Sequence, residues 1–291
     1  MTRLLAVAGV LAISFSAIFF RLAAVSPATA AFFRTGYAVP VLFIIWALYR
    51  RRQDRRSRSD RLVALGAGLL LALDLVLWHR AIELIGAGLG TVLANTQVVF
   101  VGAAAWVLHR ERPTRLVAFM VPLVFTGVAL ISGLGRADAY GADPQAGVIF
   151  GVAAGASYAG FLLAIRASNR VLAPPAGPLL DATFGAMLGT VAFGVVDPGF
   201  SLRLAWPAHG WLLALALLVQ VFGWLLVTRA LPRLPALETS VMLLLQPMAT
   251  VLWAFLLFAE RLASLQWIGV LLVLGGVGTL MTLGSARDPP P

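Results

Sequence analysis

The sequence predicts an all-α, polytopic membrane protein with ten transmembrane helices in two inverted five-helix repeats. Three observations lead there. Of 291 residues, 60% are apolar and only 12% charged, with a mean hydropathy of +0.93, far too apolar for an ordinary soluble domain. The apolar residues fall into ten runs, each near the roughly 20 residues that cross about 30 Å of hydrocarbon. Residues 79–135 also match residues 228–284 without a gap at a shift of 149, pairing Arg80 with Arg229, Gln97 with Gln246, Leu108 with Leu257, Glu111 with Glu260, Arg112 with Arg261 and Gly127 with Gly276.

The first run, 4–24, follows Arg3 and leads into Ser26-Pro27-Ala28-Thr29-Ala30, a pattern it shares with cleavable secretory signals. The repeat claims it as a span instead, because five spans per half make it the partner of the sixth, where Ser157-Tyr158 echoes Ser14-Phe15-Ser16. The second run, 29–49, carries Arg34 at depth, and an arginine-rich stretch at 50–61 follows it. The third, 62–79, places Asp74 and Trp78 four residues apart on one face, with His79 at the membrane edge. The fourth, 87–108, holds Asn95 and Gln97 near mid-span, two residues apart and so on different sides of one helix, of which one at most should face a cavity squarely.

A fifth run, 116–134, ends the first half, residues 1–135, and residues 136–145 with Gly141 and Pro144 read as a linker. The second half, 146–284, begins with the sixth run, 146–166, bearing Tyr158, and the seventh, 177–196, bearing Asp181. In the eighth, 210–228, Gln220 and Trp224 repeat the polar-plus-indole spacing of the third. The ninth, 237–258, opens with Glu238 as a helix cap and contains Gln246 and Pro247; the tenth is 264–284, and 285–291 form a tail. Pro247 removes a backbone donor and leaves a carbonyl free near Leu243, so a helix break is expected there, with less support at the matching Val98. Runs three and four, and eight and nine, are separated by so few residues that each pair must be a tight hairpin. An odd number of spans per half makes the second copy enter from the opposite side.

The net charge of +10 raises a nucleic-acid partner as a possibility, but a cytoplasmic N-terminus places most arginines, including the 50–61 cluster, on the cytoplasmic side. This positive-inside asymmetry accounts for the charge, returns the C-terminus to the cytoplasm, and leaves no soluble domain to hold nucleic acid. Cysteine and lysine are both missing from the sequence, which excludes disulfides, thiolate metal sites and a lysine-bearing phosphate loop. His79, His109 and His209 lack metal-ligand spacing, so neither a metal nor a cofactor is expected.

The segment Thr96-Gln97-Val98-Val99-Phe100 through Glu111-Arg112 to Gly127-Val128, echoed as Leu245-Gln246-Pro247-Met248-Ala249 through Glu260-Arg261 to Gly276-Val277, resembles the duplicated domain of the drug/metabolite transporter superfamily, EamA branch. Within it the chain is similar to the YddG-type amino-acid exporters. The resemblance implies a multi-pass carrier of the bacterial inner membrane, with membrane lipid and amino acids as its partners, working without enzymatic chemistry. Ionisable and amide side chains inside a span are functional candidates by default. The substrate contacts expected from that rule are Trp78, His79, Asn95, Gln97, Tyr158, Gln220, Trp224 and Gln246, around a central cavity between spans one, three, four, six, eight and nine. Asp74 is expected either to couple a proton or to form an ion pair with Arg34. A drug or nucleotide-sugar carrier, and then a membrane-embedded enzyme or lipid flippase, are the competing readings.

Overall fold

The computed structural model describes residues 2–50, 54–109, 115–133, 138–168, 175–230, 233–234 and 236–284, and every regular element among them is a helix. In hydrocarbon each backbone polar group must be satisfied within its own segment, and helices achieve this. Helices α1 (Thr2–Ser14) and α2 (Ser16–Ala23) form one apolar run interrupted at Phe15. Helix α3 (Pro27–Ile45) starts where Ser26 accepts from the Thr29 amide at 3.4 Å, with proline at the first turn, and continues as a π-helical turn, Trp46–Arg50. Helix α4 (Arg58–Ala94) opens on a capping box between Ser57 and Asp60 and leads into α5 (Gln97–His109) and α6 (Arg115–Ile131).

The second half contains α7 (Pro144–Ala167), α8 (Ala176–Val196) and α9 (Ala208–Ala214), the last running through a π-helical segment, Leu215–Gly223, into α10 (Trp224–Ala230). Helices α11 (Ala236–Phe258) and α12 (Ser264–Gly284) complete it. Among the described residues, seven runs are long and apolar enough to cross a membrane, and Arg115–Ile131 and Met242–Phe258 are shorter apolar helices. The chain is therefore a multi-pass membrane protein.

One of those runs, Arg58–Ala104, is 47 residues long. A straight helix of that length would reach roughly 70 Å, more than twice the hydrocarbon thickness. It does not run straight: Gly86 has φ 84° and ψ 170°, a conformation essentially reserved for glycine. A Cβ on Gly90 would lie 3.0 Å from the Ile82 side chain, so the chain folds back on itself at Gly86 as an antiparallel hairpin. The helix continues through 80–85, where the third run was expected to have ended, because Arg80 and Glu83 pair at 2.7 Å on its exposed side and give the polar stretch a helical partner.

Helix α4 packs along α7 and α8, α3 against α8, and α6 against α12. Small residues set these approaches. A Cβ on Gly68 would sit 2.6 Å from the Ala186 amide nitrogen, and one on Gly127 would sit 2.7 Å from the Gly269 carbonyl oxygen. Backbones this close gain the dispersion contacts that hold helices together where lipid offers no hydrophobic drive.

A candidate substrate cavity and its seal

A cavity of about 300 Å³ lies among the helices, lined from α1, α2, α3, α4, α5, α7, α10, α11 and α12. Eight of the residues singled out by sequence meet in it: Arg34, Asp74, Trp78, Asn95, Gln97, Tyr158, Trp224 and Gln246. Asp74 and Trp78 arrive from adjacent turns of α4, and Tyr158 and Trp224 bring aromatic rings 6.3 Å apart at 71°. Trp78 Nε1 and Gln97 Oε1 are buried without a hydrogen-bond partner.

Both Asn95 and Gln97 line the cavity, although one regular helix would have turned them apart. The helix is not regular there: the Asn95 and Thr96 amides reach back three residues to Val92 and Leu93, at 3.1 and 3.0 Å, in tight turns. The Asn95 side chain donates to the Thr91 carbonyl at 2.8 Å, and Thr96 Oγ1 donates to the Leu93 carbonyl at 2.7 Å. Polar side chains thus compete with the helical ladder and end α4 before α5 begins. The expected break at Pro247 does not occur, since α11 runs unbroken from Ala236 to Phe258. The interruption lies in the copy that lacks the proline.

Arg34 is 5% exposed and does not pair with Asp74. Its Nε donates to Gln220 Oε1 at 2.9 Å and its Nη1 to Ser16 Oγ at 3.1 Å, while Gln220 Nε2 donates to Thr183 Oγ1 at 3.2 Å. Gln220 is therefore a support behind Arg34, outside the cavity lining. The π-helical segment Leu215–Gly223 widens the turn between Gln220 and Trp224, so the two no longer share one face as their spacing had predicted. His79 also departs from expectation. It is fully buried, stacks on Phe20 at 4.1 Å and sets Nδ1 3.3 Å from the Pro27 carbonyl oxygen, fixing α4 to α2 and α3 rather than meeting the cavity.

Asp181, near the start of α8 and outside the cavity lining, pairs with Arg56 at 2.8 Å and Arg61 at 3.3 Å. Arg56 also pairs with Asp54 at 2.9 Å. Burial would raise the Asp54 carboxyl, but hydrogen bonds from Arg56 and Trp46 and the arginine charge outweigh it and hold the group below the usual carboxylate range. Trp106 and Trp267 are exposed, whereas Trp211 is half-buried against Phe19. The side chain of Glu238 lies outside the described residues.

One end of the bundle is closed by a joint that sequence reading did not single out. Glu260, 3% exposed in the turn after α11, accepts from the Ala87 amide at 2.7 Å and the Gly88 amide at 3.1 Å, and forms an ion pair with Arg21. Ala87 and Gly88 are the first amides after the Gly86 turn, where a helix start leaves donors without partners and favours a negative charge. A Cβ on Gly86 would lie 2.6 Å from Glu260 Oε1, so the glycine also makes room for the carboxylate. Alongside, Gln266 accepts from the Tyr140 amide at 2.8 Å and donates to the Ile131 and Tyr140 carbonyls, and the Ala142 amide donates to Leu84 at 2.7 Å. Burial, and after it the Glu260 charge, push the Tyr140 phenol up. The sequence held one signal for this: Glu260 matches Glu111 under the repeat, and Glu111 lies outside the described residues.

The sequence model of the EamA-like transporter family matches residues 1–133 and 145–282. A relative from Bacillus subtilis (strain 168), the uncharacterized transporter YwfM, is 25% identical over 215 residues, covering 72% of this chain and 70% of that protein. A solved structure, described only as the crystal structure of a protein, shares the fold with a TM-score of 0.60 at 16% identity over 98% of each chain.

Proposed function

Because the chain belongs to the EamA-like transporter family, we propose that it is a ten-span secondary transporter resembling the YddG-type exporters, moving amino acids with aromatic or other bulky uncharged side chains by alternating access. Counting α1 with α2 as one span, the Gly86 hairpin as two and the run from α9 to α10 as one gives ten crossings, five in 1–135 and five in 146–284. The arginine asymmetry favours cytoplasmic termini in a bacterial inner membrane. On that orientation Glu260 seals the external face. Lining residues near the cytoplasmic ends of their spans, Val227, Leu243 and Met281, then mark the way in.

The observation that carries the substrate class is the lining itself: a small cavity with aromatic walls, amides, and one buried acidic and one buried basic side chain. Its 300 Å³ is at the lower limit of ligand pockets, which suits a single metabolite better than a nucleotide-sugar. Among the described residues Arg34 is the one arginine in the lining, and a sugar diphosphate would call for more positive charge. Apolar walls discriminate weakly between similar side chains, so broad specificity among bulky amino acids follows. The test is counterflow: purified protein in liposomes preloaded with unlabelled phenylalanine should accumulate labelled phenylalanine transiently. Failure of every amino acid tested to exchange, with exchange of a drug or nucleotide-sugar instead, would overturn the reading.

A further inference from the structure

Arg34 and Asp74 present an unusual combination. Each is buried in the lining of one cavity, and each keeps unused hydrogen-bonding capacity toward it. Arg34 is clamped on two sides by Gln220 and Ser16, and among the described residues its Nη2 has no hydrogen-bond acceptor and Asp74 has no donor. A buried charge is costly unless another group answers it, and the two do not answer each other directly. Two further lining residues carry a buried polar atom without a partner among the described residues: the Trp78 indole N–H, which can only donate, and the Gln97 amide oxygen, which accepts.

We infer that the cavity binds its substrate as an oriented zwitterion, with the carboxylate received by Arg34 and Trp78 and the ammonium received by Asp74 and Gln97. This rests on the amino-acid reading above and adds the requirement for both charges and their direction. Trp78 and Asp74 lie one helical turn apart on α4, where side chains are neighbours about 5–6 Å apart at Cβ, a spacing that suits two charged groups carried on one carbon. The substrate's side chain then extends over Tyr158, Leu162 and Trp224. A ligand with a single charge answers one of the two groups and leaves the other buried and unanswered, whereas a zwitterion answers both. Arg34, Trp78, Asp74 and Gln97 are the residues that set the selectivity.

The test is competition in the counterflow assay, using phenylalanine, phenethylamine, which lacks the carboxylate, and 3-phenylpropionate, which lacks the ammonium. In the wild-type protein each single-charge analogue should compete at least about tenfold more weakly than phenylalanine, the loss of one hydrogen bond to a charged partner. Arg34→Gln should abolish the penalty for phenethylamine while 3-phenylpropionate stays weak, and Asp74→Asn should do the reverse. The wild-type series decides the matter even if a variant does not fold. Analogues competing as well as phenylalanine, or variants weakening all three ligands by one factor, overturn the inference while leaving amino-acid transport standing. Absence of phenylalanine exchange and of competition by any amino acid overturns both.

Discussion

Replacing Glu260 by glutamine should loosen the closed end of the bundle without removing the residues of the cavity. The carboxylate uses Oε1 for the Ala87 amide and Arg21, and Oε2 for the Gly88 amide. Glutamine keeps one acceptor, turns an NH₂ toward the second amide, and gives up the negative charge at the helix start. A hydrogen bond to a charged group contributes about 1.5–3 kcal/mol, and one is lost while another is weakened, so the sealed arrangement should lose about 2–3 kcal/mol. At 1.36 kcal/mol per factor of ten, the ratio of sealed to open molecules falls roughly 30- to 150-fold. The sequence has no cysteine, so a Thr91→Cys reporter in the cavity lining can be read alone. In the otherwise unchanged protein, an impermeant maleimide applied from the Glu260 side should react slowly. With Glu260→Gln it should react tens of times faster, at an unfolding midpoint that still shows a folded protein. An unchanged labelling rate in folded protein would refute the role of Glu260 in the seal.

Ala259, exposed and at φ 52°, holds the left-handed conformation that ends α11, so Ala259→Gly should raise the thermal midpoint, with a gain of about 0.5–1 kcal/mol once the entropy of glycine is set against the relieved strain. A lowered midpoint would contradict this. Asp54→Asn should destabilise the protein at neutral pH. The folded pKa of Asp54 lies below its unfolded value near 3.9, so its contribution is fully present above that value and is lost as pH falls through the folded one. Thermal midpoints of wild type and variant should therefore converge in acid below about pH 4, and a constant gap across pH would sink the assignment.

Eight of the residues that line the cavity were legible because burying a polar group in lipid is expensive wherever it occurs, and position along a span then says how deep it lies. Asp74, Trp78 and Gln246 needed nothing more. What the sequence hid is backbone geometry. A regular helix would turn Asn95 and Gln97 to different sides, whereas Thr96 and Asn95 unmake that helix through their own side chains. Pro247 reads as a breaker, yet α11 continues through it from Ala236 to Phe258. His79 and Gln220 carried the right chemistry but serve as supports, because depth within a span does not say which way a side chain turns. Glu260 was hidden by its place in a loop, where an acidic residue is ordinarily solvated.

Three of the helix interruptions converge on the cavity, whereas a fourth, the π-helical turn Trp46–Arg50, lies away from it. The chain departs from regular α-helix at Phe15, at Asn95–Thr96 and through Leu215–Gly223, three places far apart in sequence. Ile13 and Ser16 flank the first, Asn95 and Gln97 the second, and Trp224 follows the third, and all of them line the one cavity. Irregular backbone at membrane depth survives only where protein or a water-filled space satisfies the groups it frees. At Phe15 the satisfaction is visible: the Ser14 carbonyl accepts from Thr250 Oγ1 at 2.9 Å, and Ser14 Oγ accepts from Trp253 Nε1 at 3.1 Å. Each interruption also softens the helix that carries it, since a missing ladder bond no longer resists bending. A cavity ringed by such points can change shape by small rotations at Phe15, at Thr96 and along the π-helical segment, while the long stretches of α7, α8 and α12 stay intact. The cavity and the means of reshaping it thus arise from the same local departures from helical geometry.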